Sequence, residues 1–254
     1  MPAGNTSRLQ NPPNVTSMAA MQGTVPHIYE DGTYLSRNPA WHIDESAWKV
    51  NQILRMMDRH RIVARTICDV GCGAGEVLRL LQQALPPDCR LRGYEVSPQA
   101  FEFCTKRAND RLHFTLGDIR SESVICFDLM LLLDVIEHVE DYFNLLRGLK
   151  PRARLTILHI PLDLSVQTVL RKDGLLKRRD MYAHLHYFTK DIAVRMLKEV
   201  GYEVMDYFYT PRSNELGSEF LQKLLKPLRT ICFALDQDLA VRLLGGYSLL
   251  VLAR

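Results

Sequence analysis

The sequence of 254 residues predicts an α/β fold, with a mostly parallel sheet and helices on both of its faces. Strand-like and helical patterns alternate from about residue 62 to residue 160, as they do where helices join parallel strands. Four of these strands also end next to a polar residue. Because the carboxyl ends of parallel strands meet at one edge of a sheet, these residues define a single crevice.

The first strand leads into a glycine-rich turn that opens a helix. Residues 67–76 read ICDVGCGAGE, with Asp69 near the strand end and glycines at alternate positions, Gly71, Gly73 and Gly75. Glycines allow a tight turn, a close approach of a ligand to the backbone and close packing of the helix. The spacing differs from the dinucleotide fingerprint G-x-G-x-x-G, and an ordinary strand–helix turn is the alternative.

Carboxylates follow the next three strands as well. The second strand ends at Glu95, twenty residues beyond Gly75, where a nucleotide-binding unit places the acid that binds the ribose hydroxyls. The third strand leads to Asp118, and the fourth, residues 127–133, is followed by Asp134-Val135-Ile136-Glu137-His138. Together these strand ends predict a nucleoside site, and the charge of Glu95 disfavours a phosphate on the ribose.

The remaining elements extend this pattern to seven strands. A helix is predicted over residues 44–57, before the first strand, from its apolar spacing. Strands five, six and seven are predicted at 154–160, 202–209 and 247–252. Before strand six, a helix is expected to begin after the N-cap Thr189 and to end at Gly201.

Over Thr66 to Pro161, and less closely as far as Tyr209, the chain resembles the class I S-adenosylmethionine-dependent methyltransferases. The resemblance is greatest to the branch with ubiquinone- and menaquinone-type methyltransferases and many enzymes of glycan or natural-product pathways. It implies a Rossmann-like sheet of seven mostly parallel strands with an antiparallel last strand. It also implies S-adenosylmethionine as the cofactor and S-adenosylhomocysteine as the product.

The resemblance also implies which residues bind this cofactor. Family members place the methionine moiety over the glycine loop, the ribose against the acid after strand two and the adenine near the acid after strand three. The segment after strand four runs along the methyl-donor side. In this sequence the implied positions are Asp69, Gly71, Cys72, Gly73, Gly75, Glu95, Val96, Asp118, Ile119, Leu133, Asp134 and His138.

His138 is the predicted catalytic residue. Methyl transfer from a sulfonium is one in-line displacement, so the protein must position the acceptor and, for a hydroxyl, remove its proton. An imidazole titrates near the working pH and suits that task. The alternative is a helix start with Asp134 as N-cap and Glu137 at N3, a capping-box arrangement that leaves His138 to positioning or packing.

Two segments are predicted to contact the acceptor. Trp41 and His42 precede the first helix and could fold over the cofactor, although Trp41 could instead anchor that helix. His184 and His186 lie in the segment after strand five and alternate as on a strand, so both could face one metal ion. No third ligand of matching type is nearby, and we expect no metal site.

Composition indicates one domain with additions. Residues 1–26 are rich in Asn, Pro, Thr, Ser and Gly and are predicted to be disordered. The methyltransferase domain is expected over 27–254, with a lid and helix at 27–62 and a substrate-side segment at 161–188. A helical insertion at 211–245 could serve a macromolecular partner or form a homodimer interface.

Several classes of protein are disfavoured. A net charge of +3 is too small to indicate nucleic-acid binding. The six cysteines include no C-x-x-C pair and predict no disulfide framework. No apolar run reaches the roughly 18–20 residues of a membrane span, and no signal peptide is indicated. We therefore expect a cytoplasmic protein without a membrane span or a nucleic-acid partner.

The sequence thus predicts a methyltransferase for a small molecule or glycan intermediate, most simply at oxygen. The residues after strand four do not resemble the Asn/Asp-Pro-Pro-Tyr motif of enzymes that act on exocyclic or amide nitrogens. Two alternatives remain: a methyltransferase for a protein or nucleic acid, and a non-catalytic partner protein that binds the cofactor. The complete set of strand-end residues argues against the partner protein.

Overall fold

A computed structural model describes residues 33–38, 41, 43–123, 125–212 and 220–254. Seven strands lie in these ranges: β1 (Thr66–Val70), β2 (Arg90–Glu95), β3 (Leu112–Leu116), β4 (Phe127–Leu133), β5 (Ala153–Pro161), β6 (Val204–Thr210) and β7 (Ser248–Ala253). The helices are α1 (Thr33–Arg37), α2 (Ser46–Arg59), α3 (Glu76–Ala84), α4 (Pro98–Thr105), α5 (Tyr142–Leu149), α6 (Val166–Leu170), α7 (Gly174–Tyr182), α8 (Lys190–Glu199), α9 (Phe220–Leu235) and α10 (Gln237–Leu244).

The strands form one sheet in the order β3-β2-β1-β4-β5-β7-β6. Strands β1 to β5 pair in parallel, and β7 runs antiparallel to both of its neighbours, β5 and β6. The predicted fold class is therefore confirmed. The chain moves outward in one direction from β1 and in the other from β4, so the strand order reverses between these two strands. In open α/β sheets such a switch point is where ligands bind.

The core lies on both faces of the sheet because successive side chains of a strand point in opposite directions. In β4, Met130 and Leu132 pack with one cluster, while Leu129, Leu131 and Leu133 pack with the other. Helices α5, α8 and α10 contribute to the first cluster, and α2, α3 and α4 to the second. The nearly continuous apolar run of β4 is typical of a strand that is buried on both faces.

Several local predictions are confirmed. Strand β4 has the predicted bounds, and Thr189 caps α8 by accepting a hydrogen bond from the N–H of Ile192 at 3.3 Å. The helical pattern before β7 corresponds to α9 and α10, with residues 213–219 outside the described ranges. The predicted disorder of residues 1–26 also lies outside them. Among the described helices, none is long and apolar enough to cross a membrane.

Candidate active site

A cavity of about 240 Å³ lies at the carboxyl edge of the sheet, beside the switch point between β1 and β4. Its wall is formed by the loops after β1, β2, β4 and β5, and by residues from the N-terminal segment, α2 and α7. Most of the residues predicted from the sequence line it: Trp41, Asp69, Gly71, Cys72, Gly73, Glu95, Val96, Leu133, Asp134, His138 and His184.

The glycine loop is held against β2 by Glu95. One carboxylate oxygen accepts a hydrogen bond from the N–H of Gly73 at 2.7 Å, and the other accepts from Val96 and Ser97 at 2.9 Å each. A carboxylate has about four acceptor positions, so one remains for a ligand hydroxyl. Gly73 has φ +55, and a Cβ added there would meet no atom within 4 Å, so the loop leaves open space where a ligand could approach its backbone.

Burial changes the charge state of the two acids beside this loop. Burial raises the pKa of Asp69 to about 8, with Lys49 opposing the effect and Glu95 adding to it. Burial likewise raises the pKa of Glu95 to about 7, against its three backbone donors. The Oδ1 atom of Asp69 is buried and has no hydrogen-bond partner among the described residues. An orphaned acceptor of this kind fits a ligand that brings a donor or a positive charge.

Asp134 connects three elements at the end of β4. Its φ of +58 is in the left-handed region that side chains other than glycine rarely adopt. Its carboxylate contacts Lys49 Nζ of α2 at 2.7 Å and His159 Nδ1 of β5 at 2.6 Å. Burial alone would favour the neutral acid, but His159 and Lys49 hold the pKa of Asp134 well below its usual range. Asp134 is therefore a fixed negative charge on the cavity wall.

The residues after Asp134 do not form the predicted capping box. Ile136–His138 is a single 3-10 turn whose cap, Val135, makes no side-chain hydrogen bond. Glu137 is fully buried, and neither of its carboxylate oxygens has a hydrogen-bond partner among the described residues. The capping-box alternative is therefore wrong: Val135, not Asp134, caps this turn, and the Asp134 carboxylate pairs with Lys49 and His159 instead.

His138 faces the segment between α7 and α8. Its Nδ1 lies 3.2 Å from the carbonyl oxygen of Ala183, which can only accept, so Nδ1 carries the hydrogen and Nε2 is the basic nitrogen of the neutral ring. The His138 and His184 rings meet edge to face with centroids 5.0 Å apart. His184 Nδ1 lies 2.6 Å from Asp163 Oδ2, and Asp163 Oδ1 pairs with Arg178 Nε at 2.9 Å.

The other predicted residues lie outside the described wall of the cavity. Asp118 accepts a hydrogen bond from the N–H of Arg120 at 2.8 Å and forms an ion pair with its guanidinium group, while Ile119 is buried in the core. Gly75 faces Phe114, and His186 turns its Nε2 to the carbonyl oxygen of Val139 at 3.0 Å. His42 lies outside the described residues. The adenine contact of Asp118 stays a prediction that requires the ligand to extend beyond this cavity.

The N-terminal segment covers part of the cavity. The Tyr34 and Trp41 rings lie 4.9 Å apart, pack with Ala183 and line the cavity wall. Glu45 forms an ion pair with Arg212, the residue two positions after β6, and this pair ties the segment to the far side of the sheet. Both residues line the cavity.

Several wall residues could not be identified from sequence alone. Lys49 and Arg212 are distant in the chain from the motifs, whereas Asp163 and Arg178 lie in the substrate-side segment predicted at 161–188; the pairings of all four follow from the fold. His159 carried a weak signal, because a histidine inside an apolar strand needs polar partners. Its Nε2 lies 3.0 Å from Thr210 Oγ1, which itself donates to the carbonyl oxygen of Ser248 at 3.2 Å.

Residues 68–155 match a family model described as a methyltransferase domain. No curated protein matches the sequence. The fold is similar to that of magnesium protoporphyrin IX methyltransferase from Synechocystis PCC 6803, solved with bound SAH, with a TM-score of 0.53 and 18% identity over 94% of both chains.

Two further structures share the fold. A SAM-dependent methyltransferase from Archaeoglobus fulgidus has a TM-score of 0.55 and 16% identity over 84% of this chain and 99% of that one. The StiE O-MT has a TM-score of 0.53 and 17% identity over 81% and 73% of the two chains. Residues 68–155 thus match a methyltransferase domain, and the fold is one that these solved methyltransferases share. The predicted methyltransferase domain is confirmed over these residues, whereas the ubiquinone- and menaquinone-type branch stays a prediction.

Proposed function

We propose that the chain binds S-adenosylmethionine in the cavity and transfers its methyl group to an oxygen of a small molecule or glycan intermediate. The observation that carries this proposal is the pair of buried acids at the glycine loop. Asp69 offers a buried acceptor atom without a partner, and Glu95 keeps an acceptor position beside the loop. The positive charge of S-adenosylmethionine would compensate the acceptor atom of Asp69, and its ribose hydroxyls would donate to the remaining acceptor position of Glu95.

The cofactor would supply a methyl group already activated by the positive charge on its sulfur. Gly71, Gly73 and Asp69 would face the methionine part, Glu95 and Val96 the ribose, and Leu133 and Asp134 the methyl-donor side. The fixed charge of Asp134 stabilises a nearby cation. Tyr34 and Trp41 cover the cavity and limit the access of water.

The acceptor is proposed to lie against His138, His184 and the segment after β5. In the neutral His138 ring Nε2 is the basic nitrogen, which suits a group that takes the proton of an acceptor hydroxyl. Arg178 lines the cavity, whereas the neighbouring Arg171, Lys172 and Lys177 are exposed. Most of the basic residues between positions 171 and 179 therefore face solvent, and Arg178 is left as the charge on the acceptor side.

We also propose that the chain pairs as a homodimer through the 211–245 segment. On α9, Leu228, Ile231 and Leu235 are more than half exposed and share one helix face by their spacing of three and seven residues. An exposed apolar stripe of this kind is typical of an interaction surface.

Calorimetric titration with S-adenosylmethionine tests the cofactor site. Replacing Glu95 by Gln keeps the side-chain shape but removes the charge and turns one acceptor oxygen into an NH₂ donor, so at least one backbone N–H loses its acceptor. We expect this change to weaken binding by about 1.5–3 kcal/mol. The matched control is Glu102→Gln, because Glu102 is exposed on α4. Equal affinities for the wild type and Glu95→Gln would refute the assigned site.

A further inference from the structure

We propose that Glu137, His138 and His184 bind a divalent first-row transition metal ion on the acceptor side of the cavity. The inference rests on the proposed function, because the ion would act on an acceptor hydroxyl in that cavity. It also makes the acceptor class narrower: the substrate would be an alcohol, phenol or enol whose oxygen can bind the metal.

The three side chains converge although His184 is distant in sequence from the adjacent Glu137 and His138. Each offers one ligand atom, and these atoms lie within 4.8 Å of one another. His138 Nε2 is 3.7 Å from Glu137 Oε1. Metal–ligand bonds of about 2.0–2.2 Å place neighbouring ligands roughly 3–3.6 Å apart. Small side-chain rotations would therefore close the set around an ion.

Glu137 supplies the independent reason to expect a ligand. Its carboxylate is fully buried, lines the cavity and has no hydrogen-bond partner among the described residues. An ionised carboxylate in this position is costly unless a cation compensates it. Burial raises the pKa of Glu137 well above its usual range, and the negative charge of Asp134 adds to this effect. A bound metal ion would favour the ionised carboxylate and so oppose the effects of burial and of Asp134 on the pKa of Glu137.

In both histidines Nδ1 faces an oxygen acceptor, which leaves Nε2 as the nitrogen that can bind a metal ion. Asp163 contacts His184 Nδ1 at 2.6 Å, and the Ala183 carbonyl contacts His138 Nδ1 at 3.2 Å. Both rings therefore carry their hydrogen on Nδ1 and direct the lone pair of Nε2 away from these acceptors. Metal-binding histidines characteristically donate their second N–H to a carboxylate or a backbone carbonyl. Arg178 fixes Asp163 in turn, with Nε 2.9 Å from Oδ1.

The backbone explains why His184 rather than His186 joins the site. The N–H groups of Leu185 and His186 both donate to the carbonyl oxygen of Glu137, at 2.7 Å and 3.1 Å. These bonds fasten the segment onto the 3-10 turn and place His184 beside His138. The His186 ring instead contacts the carbonyl oxygen of Val139. We expected no metal from the sequence because it shows no third ligand next to the two histidines, and the fold supplies Glu137 and His138.

The ligand chemistry selects the class of ion. Two imidazole nitrogens and one carboxylate suit Zn²⁺, Mn²⁺, Co²⁺ or Fe²⁺ better than Mg²⁺, which prefers oxygen ligands. Three protein ligands leave positions open for the acceptor oxygen and water. The metal would lower the pKa of the bound hydroxyl, whose proton leaves to solvent. The acceptor oxygen then forms the new C–O bond as the C–S bond breaks. The electron pair of the C–S bond stays on the sulfur, which becomes a neutral thioether.

The metal and the general-base roles of His138 exclude each other, because both use Nε2. A competing account needs no metal at all: a protonated Glu137 that rests in the cavity wall as a neutral acid. These accounts differ in metal binding, which can be measured without any acceptor. Affinity for S-adenosylmethionine, measured on the same metal-free protein, shows separately whether the proposed function fails.

The experiment is a titration of the untagged, chelator-treated full chain with Co²⁺, followed by its visible absorption, and then competition with Zn²⁺. We expect one equivalent to bind, and Mg²⁺ not to displace it. Glu137→Gln and His184→Ala should weaken binding at least tenfold. Asp163→Asn, which removes the orienting carboxylate, should weaken it about 10–100-fold. His186→Ala is the matched control and should bind as the wild type does.

Thermal unfolding of each metal-free variant shows whether it is folded. If His184→Ala does not fold, the near-isosteric Glu137→Gln decides the question. Absence of stoichiometric Co²⁺ binding in the wild type would overturn the proposal. So would equal binding by the wild type and Glu137→Gln. In either case, retained affinity for S-adenosylmethionine would leave the proposed methyltransferase function standing, with His138 as the proton acceptor.

Discussion

At the scale of single residues, the carboxyl groups of Asp134, Asp69 and Glu95 on the cavity wall differ in charge state because their neighbours differ. Asp134 has a lysine and a histidine within 2.7 Å and stays ionised. Asp69 and Glu95 form no ion pair with a cation among the described residues, and their pKa values rise to about 8 and about 7. Both acids therefore titrate near neutral pH, and a positively charged ligand would favour their ionised forms.

Cofactor affinity should therefore depend on pH. A cationic ligand prefers ionised Asp69 and Glu95, so binding should release protons near pH 7 and weaken by at least about tenfold between pH 8 and pH 6. Because both folded pKa values exceed the unfolded ones, the unliganded protein should lose stability as pH rises from about 4 to 8. Calorimetry in buffers with different ionisation enthalpies measures the proton release. An affinity that stays constant from pH 6 to 8 would contradict these assignments.

Asp134→Asn should destabilise the fold. The substitution keeps the shape of the side chain but leaves the buried ammonium of Lys49 without its counter-charge. Breaking a buried pair in this way should cost about 3 kcal/mol in the free energy of unfolding, measured with urea. Asp110→Asn, at an exposed position before β3, is the control and should change little. If both variants unfold alike, the pairs of Asp134 contribute nothing to stability.

At the scale of elements, the turn between β1 and α3 uses its glycines for different purposes. Gly75 has φ +76, and a Cβ there would lie 2.6 Å from Phe114 Cζ, so this glycine allows the helix to pack closely on β3. Gly73 has φ +55 but faces open space at the cavity wall. Gly75 thus allows close helix packing, whereas Gly73 leaves open space at the cavity wall where we expect a ligand to approach.

Alanine substitutions should separate these purposes. Gly75→Ala should lower the free energy of unfolding by about 2–4 kcal/mol, through backbone strain and displacement of Phe114. Gly73→Ala should cost only the strain, about 1–2 kcal/mol, yet lose cofactor binding because its methyl group enters the open space. Urea unfolding and calorimetry on both variants test the contrast. Full cofactor affinity in Gly73→Ala would show that the ligand does not approach this part of the loop.

The elements also show what the sequence could predict. Periodicity and glycine spacing located the strands and the loop, because these depend on local residues and on burial along each strand. The pairs Lys49–Asp134 and Asp163–His184 were not predictable, because each joins elements far apart in the chain. The start of the turn after β4 was misjudged for a related reason: the partners of Asp134 hold it in a conformation that its local sequence does not favour.

At the scale of the whole molecule, the exposed apolar face of α9 lies outside the cavity wall. Ile231 and Leu235 are 58% and 82% exposed, which is unusual for large apolar residues that share a helix face. Pairing of two chains through this face would leave the cavity wall uncovered, because no described residue of α9 lines the cavity.

Charge on this face should therefore abolish the dimer. Ile231→Glu combined with Leu235→Glu should convert the proposed dimer to monomer in analytical ultracentrifugation, with little change in thermal stability. Val63→Glu, at an exposed apolar position before β1, is the matched control and should stay dimeric. A wild-type chain that is monomeric at every concentration would refute the dimer.

The central claim is methyl transfer to a small acceptor, and the most direct test follows the methyl group itself. Radiolabelled S-adenosylmethionine would be incubated with the protein and a lysate of the source cells, which is then separated into small-molecule, glycolipid, protein and nucleic-acid fractions. We expect label in the small-molecule or glycolipid fraction with the wild type and with Glu102→Gln, and much less with Glu95→Gln. Label confined to protein or nucleic acid, or none in any fraction, would contradict the account.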